Sequence, residues 1–362
     1  MRRSGKGVLI MAGGTGGHIF PGLAVAEVLR KKNIPVRWLG AEGGMETRTV
    51  PAADIDLDVV AIAGLRGKGL MRWVHMPFML LRAVWHARRL LEANRPGCAV
   101  SFGGYAAAPG GIAAWTKGIP VLVHEQNRIP GLTNRVLTRF ARRILQGFPG
   151  TFPPAKSAID SGNPVRHEVA AIEDPHTRLV GRTGPLRVLI TGGSQGAMVL
   201  NKVVPAALKI LSPSLAMEIR HQAGAKRVDE AVEAYTAAGV KADIQPFISD
   251  MAEAYAWADI VICRSGALTV AELAAAGVAS VLVPFAHAVD DHQTRNAEYL
   301  SEAGAAVILA QSSLDSETLA SALQPLLSDR QVLLSMAVAA RSKALPDAAE
   351  KVVEACGEWV AQ

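Results

Sequence analysis

Two glycine-rich loops, placed about half a chain apart, constrain the fold of this 362-residue chain more than any other feature. The first is at residues 13–18 (GGTGGH) and follows the apolar run 8–11, and the second is at 192–197 (GGSQGA) and follows the run 188–191. Each loop precedes a segment of helical character. A buried strand, a glycine turn and a helix bring backbone N–H groups and the positive helix end towards a phosphate. The repeat therefore predicts two similar α/β halves.

Composition places the chain among globular proteins long enough for two domains, since half of its residues are hydrophobic and 19% are charged. Cys98, Cys263 and Cys356 form no C-x-x-C pair, which argues against a disulfide framework or a zinc site and predicts a reducing compartment. The first seven residues have no apolar stretch of the signal-peptide type. Residues 96–116 carry no charge, but their glycines and prolines favour a strand and a glycine loop over a membrane-spanning helix.

Apolar runs predict six strands in each half, with helices such as 21–32 and 76–94 between them. The predicted strands are 8–11, 36–39, 58–61, 99–102, 121–124, 143–146, 187–191, 216–220, 243–246, 260–263, 280–284 and 306–309. This alternation indicates parallel sheets. Four prolines mark residues 148–166 as the interdomain linker. We therefore expect domains at 1–163 and 164–345, and a final helix at 346–362 that caps the second domain or returns to the first.

The net charge of +6 is concentrated in the first half of the chain. Residues 66–95 hold seven Lys or Arg and one acid, and residues 128–143 hold five arginines and no acid. Such a distribution suggests an anionic partner, which is a membrane surface, a nucleic acid or a phosphorylated ligand. The 66–95 segment also carries large apolar residues, including Trp73 and Trp85. A core-facing helix explains some of them, and together with the arginines they are typical of a membrane-surface patch.

Neither glycine loop has the pattern of a common nucleotide-binding motif. No Gly-Lys-Ser/Thr follows the first loop, so it is not a nucleotide-triphosphate P-loop. A dinucleotide fingerprint read from Gly14 would need glycine at the position of Ile19, and the second loop fails similarly. Phosphate or sugar-phosphate binding is therefore favoured over a nicotinamide cofactor, with a purely structural tight turn as the alternative.

Polar and glycine motifs in the first half follow predicted strands. His18 stands where a helix should begin, and a helix N-terminus favours the neutral, proton-accepting imidazole. His18 is thus either a catalytic base or a residue that caps or packs. Gly103 and Gly104 form a third glycine turn, which we expect beside the first loop, where the two turns together hold a diphosphate. Residues 124–127 (HEQN) end the next strand at the same edge, which favours a role in the site.

In the second half, residues 264–269 (RSGALT) follow a predicted strand and open a helix. A helix start beside Arg264 suits a phosphate leaving group. Glu272, one turn into that helix, fits the two hydroxyls of a ribose, or else only complements the helix dipole. Asp290, Asp291 and the neighbouring histidines suggest a metal site, but adjacent ligands on one loop without a third partner make this weak.

Taken together, the motifs resemble those of the MurG-type family, the bacterial peptidoglycan glycosyltransferases that add N-acetylglucosamine to lipid I. The matching segments, in order, are GGTGGHxxPGLA at 13–24, FGGY at 102–105, HEQN at 124–127, GNPVR at 162–166, GGSQGA at 192–197, RSGALTVxE at 264–272 and HAVDDHQT at 287–294. They run nearly from end to end, so their joint signal is specific where a single motif would not be. Ala286 lies at a position that we expect to vary in the family.

The resemblance implies an α/β GT-B fold, in which two Rossmann-like domains with parallel sheets face an interdomain cleft. It implies that the first domain binds the acceptor and the membrane, and that the second binds UDP-N-acetylglucosamine. The implied donor contacts are Thr15, Gly16, Gly17, Asn127, Arg166, Ser194, Ile248, Arg264, Ala267, Leu268, Thr269, Val270, Ala271, Glu272 and Gln293. The implied contacts of the acceptor diphosphate are Gly13, Gly14, Gly103, Gly104 and Tyr105.

Individual roles in donor binding also follow from the resemblance. Ile248 would meet uracil largely through its backbone, and Glu272 would take the ribose hydroxyls. Ser194 and the helix that starts near Leu268 would serve the diphosphate, and Gln293 would serve the sugar.

The implied reaction is an inverting transfer of N-acetylglucosamine from UDP-N-acetylglucosamine to the C4 hydroxyl of lipid I, undecaprenyl-diphosphate N-acetylmuramoyl-pentapeptide, which gives lipid II. His18 is the first candidate for the base and Glu125 the second. A helix dipole and an arginine would carry the leaving charge, so we expect no metal and no cofactor.

The resemblance further implies a peripheral protein on the cytoplasmic side of the inner membrane, attached through the patch near residues 66–95. We expect no nucleic-acid partner, and cell-wall and division proteins as further partners. Two other classes of function use the same architecture. One is another enzyme, such as a sugar-nucleotide epimerase or a glycolipid synthase, and the other is a non-catalytic sugar-nucleotide sensor. A soluble epimerase would have little use for the basic patch, and a sensor would not need His18.

Overall fold

The computed structural model describes residues 6–62, 70–193, 196–285 and 291–360, and it describes no side chain between 70 and 77. The chain divides into two compact units, one formed by Met1–Arg166 with Pro346–Gln362 and the other by His167–Leu345. Each unit is built around one parallel β-sheet with helices between its strands. The predicted α/β class with two parallel sheets is therefore confirmed.

The first unit contains a seven-stranded sheet. Its strands are β1 (Val8–Ala12), β2 (Val36–Ala41), β3 (Asp56–Val60), β4 (Cys98–Gly103), β5 (Val121–Glu125), β6 (Arg143–Gln146) and β7 (Ile159–Asp160). They are ordered β3-β2-β1-β4-β5-β6-β7, and each neighbouring pair is parallel. The helices between them are α1 (Gly16–Lys31), α2 (Glu46–Thr49), α3 (Leu70–Asn94), α4 (Ala107–Thr116) and α5 (Leu132–Leu137).

Side chains of the central strand β1 alternate between two buried layers. Val8 and Ile10 pack in the cluster that includes α1, and Leu9 and Met11 pack in the cluster that includes α4. A strand with both faces covered needs apolar residues throughout, which is why β1 reads as an unbroken apolar run. The buried indole of Trp38 donates a hydrogen bond of 2.8 Å to the carbonyl of Ala12 and so fixes the end of β1, where the first glycine loop begins.

The second unit contains a six-stranded sheet. Its strands are β8 (Leu186–Thr191), β9 (Met217–Gln222), β10 (Asp243–Gln245), β11 (Ile260–Cys263), β12 (Ala279–Leu282) and β13 (Ala306–Ile308). They are ordered β10-β9-β8-β11-β12-β13, again all parallel. Its helices are α6 (His167–Ala170), α7 (Pro175–Leu179), α8 (Met198–Leu211), α9 (Val228–Ala238), α10 (Met251–Trp257), α11 (Ala267–Ala276), α12 (His292–Ser301), α13 (Ser316–Leu327) and α14 (Arg330–Ser342).

The last helix, α15 (Ala348–Val360), belongs to the first unit and packs beside α1. Val352 and Cys356 on its buried face join the same apolar cluster as Val8 and Ile10. An ion pair of 2.7 Å between Arg143 and Glu358 fixes its outer face. The sequence left two positions open for this helix, on the second domain or on the first, and the helix packs on the first unit.

All twelve predicted strands are confirmed, and four features differ from the prediction, the first being that α3 begins at Leu70 rather than at residue 76. Helix α1 begins at Gly16 rather than at residue 21, so Pro21 lies inside the helix, in its second turn, and not at its start. The short strand β7 has no apolar run and was not predicted. The prediction that residues 148–166 form a linker is wrong for most of this stretch, since β7 pairs with β6 and Phe148 and Phe152 are buried in the first unit.

The three cysteines are buried free thiols. Within the part of the chain that the structure describes, no helix has both the length and the apolar character needed to cross a membrane. The uncharged stretch 96–116 contains β4 and the glycine turn at 103–104, as predicted, and also the helix α4, which was not predicted.

Candidate active site

Each sheet has one point at which the order of its strands reverses. In the first unit β1 and β4 are neighbours there, and in the second unit β8 and β11 are. Open α/β sheets bind ligands outside the carboxyl ends of the strands at such a point. The glycine motifs of both units follow these four strands directly. The fold therefore places these glycine motifs at the edge where this class of sheet binds its ligands.

The first and third glycine turns touch each other, as the sequence predicted. Ala12 is paired with Gly103 at the ends of β1 and β4. Gly104 has φ +90°, and a Cβ atom there would overlap the carbonyl oxygen of Gly13. Gly103 has φ +99°, and a Cβ atom there would lie 3.2 Å from the ring of His18. Both positions thus require glycine, for conformation as well as for space.

His18 is half-buried in the first turn of α1, and its Nδ1 lies 3.2 Å from the carbonyl oxygen of Gly13. Its Nδ1 is also 3.4 Å from Oγ1 of Thr15. A carbonyl oxygen can only accept, so Nδ1 carries the hydrogen of the neutral ring, and the lone pair is then on Nε2. This tautomer is the one that can accept a proton at Nε2, the nitrogen that faces Gly103.

Glu46 is a buried residue of this site that the sequence analysis missed. Its side chain is 0% exposed, and Oε2 accepts a hydrogen bond of 3.0 Å from the N–H of Gly14. Oε1 accepts one of 2.8 Å from the N–H of Ala41. A Cβ atom on Gly13 or on Gly44 would overlap the carboxylate. A single acid without a motif around it is not distinctive in a sequence, and the two glycines just before it, at 43 and 44, are the signal that could point to it.

His124 is fully buried and neutral. Its Nε2–H donates to the carbonyl of Gly162 at 2.9 Å, and its Nδ1 accepts from the amide of Gln126 at 3.0 Å. Burial lowers the pKa of His124 from 6.5 to about 4. The ring therefore serves to join β5 to the segment that follows β7.

Glu125, the second candidate base, is 2% exposed and accepts from four N–H groups. Oε1 accepts from the backbone and the side chain of Asn127, at 3.0 and 3.2 Å. Oε2 accepts from the N–H of Gly131 at 3.1 Å and from the side chain of Asn134 at 2.9 Å. The carboxylate thus holds the segment 127–134, a loop and the start of α5, against the end of β5, and it positions Asn127.

The other predicted residues of the first unit lie near the start of α1. The guanidinium of Arg166 is 5.9 Å from the centre of the Phe20 ring. A Cβ atom on Gly16 would lie 2.9 Å from the same ring. Thr15 and Gly17 are exposed, and Tyr105 is 45% exposed. The α1 N-terminus has no side-chain cap, so its first N–H groups can meet a ligand.

The N-terminus of α11 forms the corresponding point of the second unit. Gly266 precedes the helix in an extended conformation, and no side chain caps the helix. The N–H groups of Ala267, Leu268 and Thr269 thus begin a ten-residue helix whose positive end lies beyond β11. The side chain of Val270 is fully buried in the core.

Arg264 is turned towards the sheet. Its Nη1 donates to the carbonyls of Val283 and Pro284 at 3.0 and 3.2 Å, and its guanidinium lies 5.3 Å from the centre of the Phe285 ring. Burial lowers the pKa of Arg264 below its usual value. The arginine therefore links the end of β11 to the segment that follows β12 by hydrogen bonds, and it places a positive charge at this edge of the sheet.

Glu272 and Gln293 both have one oxygen held in place. Oε2 of Glu272, which is 5% exposed, accepts from the hydroxyl of Tyr255 at 3.2 Å. Oε1 of Gln293 accepts from the N–H of Phe285 at 2.9 Å, which leaves the amide nitrogen as the donor end. Ile248 is half-buried in the loop between β10 and α10.

In the second glycine loop, contacts with neighbouring backbone and side chains hold Gly193 and Gly196 in place. Gly196 has φ +71°, and a Cβ atom there would overlap the carbonyl oxygen of Ala223. The side chain of Gln222 donates to the carbonyl of Gly193 at 2.9 Å. Ser194 and the first four residues of the 287–294 motif lie outside the described residues. In the described ranges, no three His, Cys, Asp or Glu residues are grouped in a way that could hold a metal ion.

The chain matches two domains of one family in sequence. Residues 8–146 match the glycosyltransferase family 28 N-terminal domain, and residues 187–352 match the glycosyltransferase family 28 C-terminal domain. The chain is 59% identical over 347 residues to the UDP-N-acetylglucosamine--N-acetylmuramyl-(pentapeptide) pyrophosphoryl-undecaprenol N-acetylglucosamine transferase of Xanthomonas axonopodis pv. citri (strain 306), covering 96% of this chain and 80% of that protein.

The chain is also 52% identical over 350 residues to a protein of the same name from Marinobacter nauticus (strain ATCC 700491 / DSM 11845 / VT8). This match covers 97% of this chain and 96% of that protein. Among solved structures, the crystal structure of Acinetobacter baumannii MurG matches with a TM-score of 0.84 at 42% identity, covering 98% of this chain and 99% of that one.

Proposed function

The chain belongs to glycosyltransferase family 28, and on this premise we propose how its residues carry out the transfer of a sugar. It is a UDP-N-acetylglucosamine-dependent glycosyltransferase of peptidoglycan synthesis, with a GT-B fold. It moves N-acetylglucosamine from UDP-N-acetylglucosamine onto lipid I, which gives lipid II. We assign the acceptor to the unit Met1–Arg166 and the donor mainly to the unit His167–Leu345.

The chemistry sets two requirements. The C4 hydroxyl of the acceptor sugar attacks the anomeric carbon on the side opposite to UDP, the bond to the UDP oxygen breaks, and the configuration inverts. The hydroxyl must lose its proton to a base, and the departing diphosphate must be stabilised as its negative charge grows. The two units offer one candidate for each requirement.

His18 is the proposed base, and its orientation is the observation that carries the proposal. The Gly13 carbonyl holds Nδ1 at 3.2 Å, so the neutral ring can take the C4 hydroxyl proton at Nε2. Glu125, which already accepts four N–H groups, is better suited to hold Asn127 in place than to take this proton.

The acceptor diphosphate is proposed to bind at the two glycine turns of the first unit. Gly104 packs directly on Gly13 and Gly103 lies against the ring of His18, and neither glycine has a side chain that would hinder the close approach of a phosphate. The N–H of Gly14 donates to Glu46, so Gly14 contributes its conformation there rather than its hydrogen. The N–H groups at the start of α1 and Tyr105 complete this part of the site.

The donor diphosphate is proposed to bind the N-terminus of α11. The N–H groups of Ala267, Leu268 and Thr269 and the positive helix end stabilise the charge that develops on UDP. Glu272 takes the ribose hydroxyls, and the amide nitrogen of Gln293 donates to the sugar. Contact of Ile248 with uracil, and of Ser194, Ala271, Asn127 and Arg166 with the donor, stay predictions.

The proposed membrane contact is the outer face of α3. Its described residues include Phe78, Leu81 and Trp85, which are 74%, 66% and 55% exposed. The guanidinium of Arg89 lies 3.6 Å from the centre of the Trp85 ring, so a cation borders the apolar face.

Apolar side chains bordered by cations suit the headgroup region of an anionic lipid surface. This supports peripheral attachment to the cytoplasmic face of the inner membrane, near the polyprenyl carrier of the acceptor. Arg66, Lys68, Arg72 and Trp73 of the predicted patch are outside the described side chains. Contacts with cell-wall and division proteins stay a prediction.

A transfer assay tests the proposed function. Purified protein is supplied with UDP-N-acetylglucosamine and a lipid I analogue, and both UDP and the disaccharide product are measured. We expect the two products in equal amounts. UDP release without disaccharide, or no UDP release at all, would contradict the proposed reaction.

A further inference from the structure

A single peptide group connects Glu46 to His18. The N–H of Gly14 donates to Oε2 of Glu46 at 3.0 Å. The carbonyl of Gly13, which belongs to the same peptide group, accepts from Nδ1 of His18 at 3.2 Å. Because N–H and C=O are conjugated across a peptide bond, an anion on the N–H side makes the carbonyl oxygen a stronger acceptor.

We infer that Glu46 sets the tautomer of His18 through the Gly13–Gly14 peptide, and is thereby a positioning residue of the transfer reaction. The inference rests on the proposed function, in which His18 is the base. A carboxylate that fixes the tautomer and the orientation of a catalytic imidazole is familiar from serine hydrolases, where the two groups are in direct contact. Here a peptide group stands between them.

The surroundings of Glu46 are shaped for a carboxylate at this place. Its side chain is 0% exposed, and both oxygens accept from neutral backbone N–H groups. Burying a charged group costs free energy unless its hydrogen bonds are satisfied, so a residue that only filled space would be apolar. Gly13 and Gly44 leave no room for a Cβ atom beside the carboxylate, and a Cβ atom on Gly40 would lie 2.6 Å from Cγ of Glu46. Glycines at 13, 40 and 44 thus provide the space that the side chain of Glu46 occupies.

The peptide that links the two residues is also held from its other side. Gly104 packs against Gly13 so closely that a Cβ atom would overlap the carbonyl oxygen. With Glu46 on its N–H and Gly104 against its carbonyl, the peptide keeps the oxygen directed at Nδ1 of His18. If the peptide rotated, the ring would lose the contact that favours Nδ1–H. The Nε2–H tautomer, which cannot accept a proton at Nε2, would then become populated.

The test compares the full-length wild-type protein with the variant Glu46→Gln. The variant keeps the size of the side chain and removes its charge, and its NH2 group cannot accept from the backbone. Nitrogen-15 NMR of histidine-labelled protein, at a pH where the imidazole is neutral, reports which ring nitrogen carries the hydrogen. A His18→Ala sample identifies the His18 signals.

We expect the Nδ1–H form of His18 in the wild type and a gain of the Nε2–H form in Glu46→Gln. We also expect kcat to fall by about 10- to 100-fold, the usual effect of losing a group that orients a functional histidine. KM for both substrates should stay within about twofold, because Glu46 touches neither of them.

Asp58→Asn is the matched control, because it makes the same carboxylate-to-amide change on β3 of the same sheet. Asp58 accepts from Arg37 and from Asn94, at 3.3 and 3.0 Å, and Arg37 is paired with Leu9 near the start of β1, whereas the first glycine loop follows the end of that strand. This variant should leave the His18 tautomer unchanged and kcat within about twofold of the wild type, even where it lowers stability.

Two results would overturn the inference. One is an Nε2–H form of His18 in the wild type, which needs no variant and so decides the matter even if Glu46→Gln does not fold. The other is an unchanged tautomer in Glu46→Gln. A changed tautomer with an unchanged kcat would instead support the link between Glu46 and His18 and refute His18 as the base, so a failure of the proposed function is distinguishable.

Discussion

Gly104 packs on Gly13 with no space between them for a side chain. The carbonyl oxygen of Gly13 that a Cβ atom would overlap is the atom that holds Nδ1 of His18. The third glycine turn therefore confines the peptide that orients the proposed base. Both turns come from strands that meet at the reversal point of the sheet, so the fold itself brings them together.

Replacing Gly104 by Ala should damage both stability and turnover. The residue has φ +90°, and the added methyl group would overlap backbone, so we expect a loss of about 2 kcal/mol or more in the free energy of unfolding. Gly150 is the control, since it has φ +82° with open space around it, and Gly150→Ala should cost only about 1 kcal/mol. Urea denaturation measures both, and equal losses would show that the close approach is unimportant.

The assignment of Glu272 to the ribose predicts a loss of donor affinity. Glu272→Gln should raise KM for UDP-N-acetylglucosamine by about 10-fold or more, because charged hydrogen bonds contribute about 1.5–3 kcal/mol. A donor lacking the ribose 2′ hydroxyl should bind the wild type more weakly but bind the variant almost as well as the complete donor. If the variant discriminates between the two donors as strongly as the wild type does, Glu272 does not contact this hydroxyl.

The outer face of α3 predicts binding to lipid vesicles. Replacing Phe78 and Trp85 together by Ser should weaken binding to anionic vesicles by about 10-fold or more, since burial of each large apolar side chain contributes about 1.5–3 kcal/mol. The control replaces Val180 and Ile210, which are 60% and 51% exposed in the second unit, and should leave binding intact. Co-sedimentation reports the binding, and kcat with a water-soluble acceptor should stay unchanged in both. Equal vesicle binding by the two double variants would refute the α3 surface.

The buried histidines predict a loss of stability in mild acid. Burial lowers the pKa of His124 and of His221 from 6.5 to about 4. Between these values the unfolded chain binds more protons than the folded protein, so stability falls as pH falls from 6.5 towards 4. From pH 7 to pH 5 we expect a loss of about 2 kcal/mol for each histidine.

Urea denaturation of the wild type and of His221→Gln at pH 7 and at pH 5 measures the part of this loss of stability that is due to His221. The variant is expected to be less stable at pH 7, because His221 bonds Asn201 and Tyr235, but to lose less on acidification. The same loss in both proteins would mean that His221 stays protonated on folding.

The sequence predicts best the features that depend on local apolar patterns. Buried parallel strands must be apolar on both faces, so β1, β4 and β8 are recognisable as short apolar runs, and the glycine turns that follow them are recognisable as well. The two exposed residues of β7 carry no such pattern, and only pairing with β6 makes them a strand.

Residue roles that depend on contacts distant in sequence could not be predicted in the same way. Glu46 is 32 residues from Gly14 and has no motif around it, so its hydrogen bond appears only in the folded chain. The four donors to Glu125 come from a loop and from α5, and the sequence does not reveal that this segment returns to the end of β5. The role of Arg264 beside a leaving phosphate stays a prediction, and the sequence could not show that its Nη1 bonds carbonyls at the end of β12.

The central claim is that His18 removes the proton of the attacking hydroxyl, and a single-turnover measurement on His18→Ala tests it most directly. Enzyme in excess, saturated with UDP-N-acetylglucosamine, is mixed with a lipid I analogue, and the disaccharide formed is followed in time. We expect the rate of the chemical step to fall by about 100-fold or more, with donor affinity changed by less than about threefold. A wild-type rate in the variant, or a loss that disappears when the donor concentration is raised, would contradict the claim.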